Sequence, residues 1–125
     1  MSQIGNTGDN RLLLVWERYN AGMKLTINIK GTNIELSQPI VAYFHKKMEG
    51  MEKLFDTHED AEIIVYGDLG KTSNHHKTGD IYKADVRIVH PGKSLYAVSE
   101  KDDLYKAIDD VAEELFREAT KVTGK

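Results

Sequence analysis

Cysteine is absent from the 125 residues. Disulfides and thiol chemistry are therefore excluded, and a reducing, cytoplasmic home is expected. Long hydrophobic runs are also missing. The longest, Leu12 to Trp16, falls far short of the ~20 residues of a membrane span. It is also too short for a signal-peptide core of ~7–15 residues, and the acidic Glu17 follows it. A cationic excess is missing as well. The net charge of −3 argues against indiscriminate nucleic-acid binding but leaves room for a local basic face. What is present is ordinary for a globular chain: 30% charged and 40% apolar residues, in a length that suits one domain with a real core.

Residues 1–22 stand apart in composition. They read as a flexible N-terminal extension outside a main domain at 23–125. The alternative is that Leu13, Val15 and Trp16 dock on that domain as an added strand or short helix. From Met23 the patterning is clean. Lys24 to Lys30 alternates, with Leu25, Ile27 and Ile29 on one face, which predicts a half-buried strand. Gly31-Thr32-Asn33 turns the chain. Ser37 is a good N-cap and Pro39 falls in the first turn. Ile40, Phe44, Met48, Met51 and Phe55 then give one apolar stripe of a helix running to about residue 55.

A buried strand is predicted around Ile63 to Tyr66, and a polar, flexible connection over 67–79. Ile81 to Val89 alternates again, His90-Pro91-Gly92-Lys93 is a turn, and Leu95 to Val98 is a fourth strand. The last helix starts near Asp102, with Ser99 and Asp102 as a capping box. Its core stripe is Leu104, Ile108, Val111, Leu115 and Val122. The order β-α-β-β-β-α predicts an α+β fold, a four-stranded sheet with two helices on one face. The other face, with Lys24, Lys30, Lys83 and Arg87, is left open.

Chemistry-bearing motifs are weak. Gly70-Lys71-Thr72 resembles the end of a P-loop, but Val65 stands where the first glycine belongs. His75, His76, Asp80 and His90 fit no zinc spacing. Asp102-Asp103, Asp109-Asp110 and Glu113-Glu114 are surface acids, with Asp110 pairing to Lys106 and Glu113 to Arg117 at helical spacing. No enzyme, metal or cofactor is expected. Basic positions remain: Lys46 and Lys53 share an exposed helix face that can follow a phosphate backbone, or merely solubilise it. Arg117, Lys121 and Lys125 suit a helix C-terminus whatever the protein does. Tyr66, Tyr82 and Tyr96 could stack bases, though alternation puts Tyr82 with the core.

Met23 to Lys125 resembles the ribosome hibernation-promoting factor family, also known as ribosome-associated inhibitor proteins. INIKGTNIELSQPIVAYFHKKMEGMEKLF matches its first strand and helix. GDIYKADVRIVHPGKSLYAVSEKDDLYKAIDDVAEEL matches its hairpin and last helix, with Asp103-Leu104-Tyr105 and Ala107-Ile108-Asp109 the most distinctive elements. The resemblance implies binding to the small ribosomal subunit and its rRNA, between head and body. There it covers the tRNA and mRNA sites and stops translation by steric occlusion. It implies no membrane and no small-molecule substrate, and a monomer when free. Carried over residue by residue, the rRNA contacts are Lys46 and Lys53, Lys83 and Arg87, Lys93, and Arg117 and Lys121, with Lys30, Lys47 and Lys106 joining them. The chain resembles the short form of the family, without a second, dimerising domain. Its last helix ends in a thinner basic run than the family pattern, which implies weaker phosphate affinity there. Two other functions compete: a free-standing module for structured RNA, and a protein-interaction domain using the open sheet face.

Overall fold

The computed structural model describes residues 2–6, 12–20, 23–51, 62–76 and 79–122. The elements are β1 (Ser2–Asn6), β2 (Leu12–Asn20), β3 (Met23–Thr32), α1 (Gln38–Glu49), β4 (Glu62–His76), β5 (Gly79–His90), β6 (Lys93–Lys101) and α2 (Leu104–Val122). The strands form one sheet in the order β1-β2-β3-β4-β5-β6. β3 and β4 run parallel, and every other neighbouring pair is antiparallel. A parallel pair needs a crossover, and α1 lies within it.

The class is α+β as expected, but the sheet has six strands, not four. The two extra strands come from the segment that composition sets apart. Leu14 and Trp16 of β2 lie opposite Ile29 and Ile27 of β3, so they extend the apolar face of the sheet. Trp16 then meets His45 of α1, ring centroids 5.2 Å apart.

Alternation fixes which face the helices cover. Leu25, Ile27 and Ile29, Ile63, Val65 and Leu69, Ala84, Val86 and Ile88, and Leu95 and Ala97 are all buried. They share one core with Ile40, Phe44 and Met48 of α1 and with Leu104, Ile108, Val111 and Leu115 of α2. Both helices therefore pack on the same side. Val122, Phe55 and the stretch 52–60 lie outside the described side chains.

The start of α1 follows from sequence. The Ile40 amide donates to the Ser37 hydroxyl at 3.4 Å, satisfying one of the helix's orphan donors. Phe44 reaches the sheet because Gly67 has no side chain: a Cβ there would lie 2.5 Å from the Phe44 ring.

Two expectations change. Residues 67–79 are not a flexible connection. β4 continues to His76 and pairs with β5 as far as His76↔Gly79, with a register shift between Lys71 and His75. Its polar, glycine-containing composition hides a strand that pairs with β5 and, as far as Gly70, also with β3. The cap of α2 is also different. Ser99 is buried in β6, and Asp103 caps the helix, accepting from the Tyr105 amide at 2.7 Å. In the β5–β6 turn, Gly92 takes a φ of 81° after Pro91, as a type II turn requires.

Candidate nucleic-acid interface

Topology sorts the candidate cations into groups. β4 begins beside the start of β3, since Lys24 pairs with Glu62. β5 ends at that same edge, since Ile64 pairs with Val89. The β5–β6 turn, with Lys93, therefore lies at this pole. α1 runs back towards it, but Lys47 meets Asp109 in the second turn of α2, so Lys46 and Lys47 stand part-way along the helix side and not at that pole. α2 starts at the far end of β6 and returns. Its 19 residues span about 28 Å at ~1.5 Å each, close to the ~30 Å of the nine residues of β6 at ~3.3 Å each. Arg117 and Lys121 thus join the same pole, and Arg117 shares a groove with Gly50 and Met51 beyond the end of α1.

The structure therefore places Lys93, Arg117 and Lys121 towards one pole, with Lys46 and Lys47 part-way along the helix side, where Lys47 shares a groove with Arg117. It leaves the others elsewhere. Lys30, Lys83 and Arg87 stand on the open sheet face, and Lys106 is in the first turn of α2 at the opposite pole. Lys53 lies outside the described residues.

Electrostatics narrows the first group. The Lys47 ammonium pairs with Asp109 at 3.2 Å, and that hydrogen-bonded contact raises its pKa above the usual lysine value. Arg117 is held by Glu113 at 3.2 Å and Glu114 at 2.6 Å. The Arg117 guanidinium in turn draws the Glu114 carboxyl below its ordinary value, chiefly through that hydrogen bond. Lys121 lies 3.8 Å from Glu118. Lys46 and Lys93 are exposed and form no ion pair with a described residue.

The outlying cations are also largely committed. Lys30 faces Asp68 at 3.9 Å, and Lys83 faces Asp85 at 4.0 Å. Lys106 pairs with Asp102 at 3.3 Å rather than with the expected Asp110, whose neighbour is Lys101 at 4.0 Å. Arg87 instead sits over the Tyr96 ring, 5.9 Å from its centroid. Such exposed pairs are each worth little. Their larger effect is to place carboxylates beside the cations: α2 holds Lys106, Arg117 and Lys121 against Asp109, Asp110, Glu113, Glu114 and Glu118.

The most distinctive sequence elements turn out to be joints. Asp103 is the cap of α2, and Leu104, Ala107 and Ile108 are core. The Tyr43 hydroxyl donates to Asp109, which raises the pKa of the phenol. Tyr105 meets the Tyr43 ring edge-on at 5.0 Å. Asp109 thus ties α1 to α2. Spacing gave no sign of it, because the tie crosses 66 residues.

No group of metal-ligating side chains forms among the described residues, and the side chains of His75 and His76 lie outside them. Gly70-Lys71-Thr72 is part of β4, a strand and not a phosphate loop. No described helix is long and apolar enough to cross a membrane.

Fold and surface together define an α+β domain of β-α-β-β-β-α order, extended at one sheet edge by two strands. Residues 27–125 match the family described as Sigma 54 modulation protein / S30EA ribosomal protein, and the chain belongs to that family. A ribosome hibernation promoting factor from Pseudomonas putida is 28% identical over 97 residues, covering 78% of this chain and 85% of that protein. A ribosome hibernation promotion factor from Lactococcus lactis subsp. cremoris is 30% identical over 99 residues, but the match covers only 49% of its length. The crystal structure of the Thermus thermophilus Protein Y N-terminal domain superposes with a TM-score of 0.61 at 23% identity, over 83% of this chain and 99% of that one. That likeness bears on the fold. The family is non-enzymatic.

Proposed function

We infer that this protein is a ribosome-associated hibernation factor that works in the cytoplasm. It binds the small ribosomal subunit and occupies the channel used by tRNA and mRNA, so that translation stops by exclusion and not by chemistry. The observation that carries this is the family match across 27–125, which takes in both helices and the sheet from within β3 onward. The names of the curated relatives point the same way.

The pole formed by the C-terminal ends of both helices and the β5–β6 turn is the surface to meet rRNA. Lys93 at this pole and Lys46 on the adjoining helix side are the leading contacts, because neither must first give up a carboxylate. Arg117, Lys121 and Lys47 are secondary.

Magnitudes make this testable. Each phosphate neutralised adds roughly 0.7–0.9 to the slope of log affinity against log salt. Two leading cations give a slope of roughly 1.4–1.8, whereas all ten candidates acting together would give roughly 7–9. Sucrose-gradient co-sedimentation with small subunits over a salt series measures it. A Lys46→Glu/Lys93→Glu double variant should leave the ribosomal fraction while staying folded. Wild-type protein that remains at the top of the gradient at low salt would sink the assignment.

A further inference from the structure

The open face of the sheet carries a row that lies apart from the leading contacts proposed above. Tyr66 of β4 lies opposite Arg87 of β5, which lies opposite Tyr96 of β6. Cross-strand partners point to the same face, and adjacent strands are ~4.8 Å apart. The three side chains therefore stand in line across three strands. Tyr66 is 48% and Tyr96 51% exposed, while Tyr82, on the other face, packs against the core.

The row is pre-set. The Tyr96 hydroxyl donates to Asp85 at 2.9 Å, and that bond is the main cause of its raised pKa. Arg87 lies over the same ring. It forms no ion pair with a described residue, unlike its neighbours Lys30 and Lys83. A shallow concavity of about 650 Å³ opens above the row, with Asn28 and Asp68 on its wall.

Two exposed phenol rings flanking an unneutralised guanidinium suit a ligand with planar bases on an anionic chain. Stacking of bases on aromatic side chains is tolerant of sequence, and a guanidinium can take a phosphate or stack itself. The flanking carboxylates select further. A duplex would bring dense phosphate rows over Asp68 and Asp85, whereas a single strand can run its one backbone past Arg87. The acids then face the amino groups of the bases.

We propose that the Tyr66–Arg87–Tyr96 row is a stacking platform for two unpaired bases of single-stranded RNA. It involves different side chains from Lys46 and Lys93 and does not depend on the occlusion role. The test is fluorescence anisotropy with a labelled, unstructured RNA of about eight nucleotides, a length within the range of known single-strand sites. An unlabelled duplex of the same length serves as competitor.

The single strand binds and the duplex competes poorly. Tyr66→Ala and Tyr96→Ala each weaken binding about ten-fold, equivalent to roughly 1.4 kcal/mol. Tyr66→Phe keeps the affinity and Tyr66→Leu does not, since a leucine preserves apolar area but offers no π face. Circular dichroism and thermal melting confirm that the variants are folded. The platform is overturned if the single strand does not bind, if duplex competes equally, or if the folded alanine variants bind like wild type. It is also overturned if Tyr66→Leu retains full affinity, which points to a protein-docking face instead. Co-sedimentation run on the same variants reports the occlusion role separately. Unchanged co-sedimentation with lost oligonucleotide binding establishes two surfaces.

Discussion

On the helix side of the sheet, Leu25, Ile27 and Ile29 of β3 share a core with Phe44, Met48 and Ile108 and see almost no solvent. One residue along, the open side of the same strands carries Lys24, Asn28 and Lys30, and across the sheet Tyr66, Arg87 and Tyr96. One strand thus serves two kinds of demand. The helix side is selected for volume, and a missing methylene is felt there. The open side is selected for what it shows to a partner. Because side chains alternate, the two sets can change independently, which is why the open face can carry a specialised row without disturbing the core.

The sharpest way to break this comparison is a pair of truncations. Phe44→Ala should cost about 3–5 kcal/mol of stability, as large buried aromatics do. Tyr66→Ala should stay within about 1 kcal/mol, because an exposed side chain leaves no cavity. Denaturant midpoints measure both. Equal losses would mean that the open face is structural after all.

Asp109→Ala is a smaller test of the same division. It removes the acceptor for Tyr43 and Lys47 and should lower stability by about 1 kcal/mol. Ribosome co-sedimentation should be unchanged or rise slightly, since Lys47 is freed. Lost co-sedimentation with unchanged stability would make Asp109 a contact residue and not a joint.

The smallest effect is a pH dependence. Burial lowers the pKa of His45 below its ordinary value, against an opposing effect of Glu49. A depressed pKa means that the folded state resists the proton that the unfolded chain accepts. The contribution is therefore fully present above about pH 6.5 and is lost as the pH falls from there through the lower folded value. The slope should vanish in His45→Phe. The single tryptophan, Trp16, lies against His45 and reports the change by its emission.

Much of this was legible in the chain. Period two placed β3 and β5, period 3.6 placed the apolar stripes of both helices, and Ser37 and Pro39 marked where α1 begins. These signals are local. What escaped is non-local. Gly67 to His76 looks like a loop because its own composition is polar, and only pairing with β3 and β5 makes it a strand. Leu12 to Trp16 looks like a stray apolar patch because its docking site, beside β3 and under His45, is assembled from other segments. The cations were visible one by one. Which of them keep their charge available depends in part on carboxylates such as Asp68 and Asp109 brought across from other elements, and sequence spacing carries no record of that.

Among the described residues β6 ends the sheet, so one side of its backbone has no described strand beside it. An antiparallel second copy centred on Ala97 would set Tyr96 against Val98 of that copy, an apolar match. The same register sets Lys93 against Lys101 at both ends of the strand, and like charges directly opposite are destabilising. The lysines that open and close β6 thus act as guards against self-pairing, a common defence of exposed sheet edges. They leave the exposed Tyr96 and Val98 free to serve recognition without seeding aggregation.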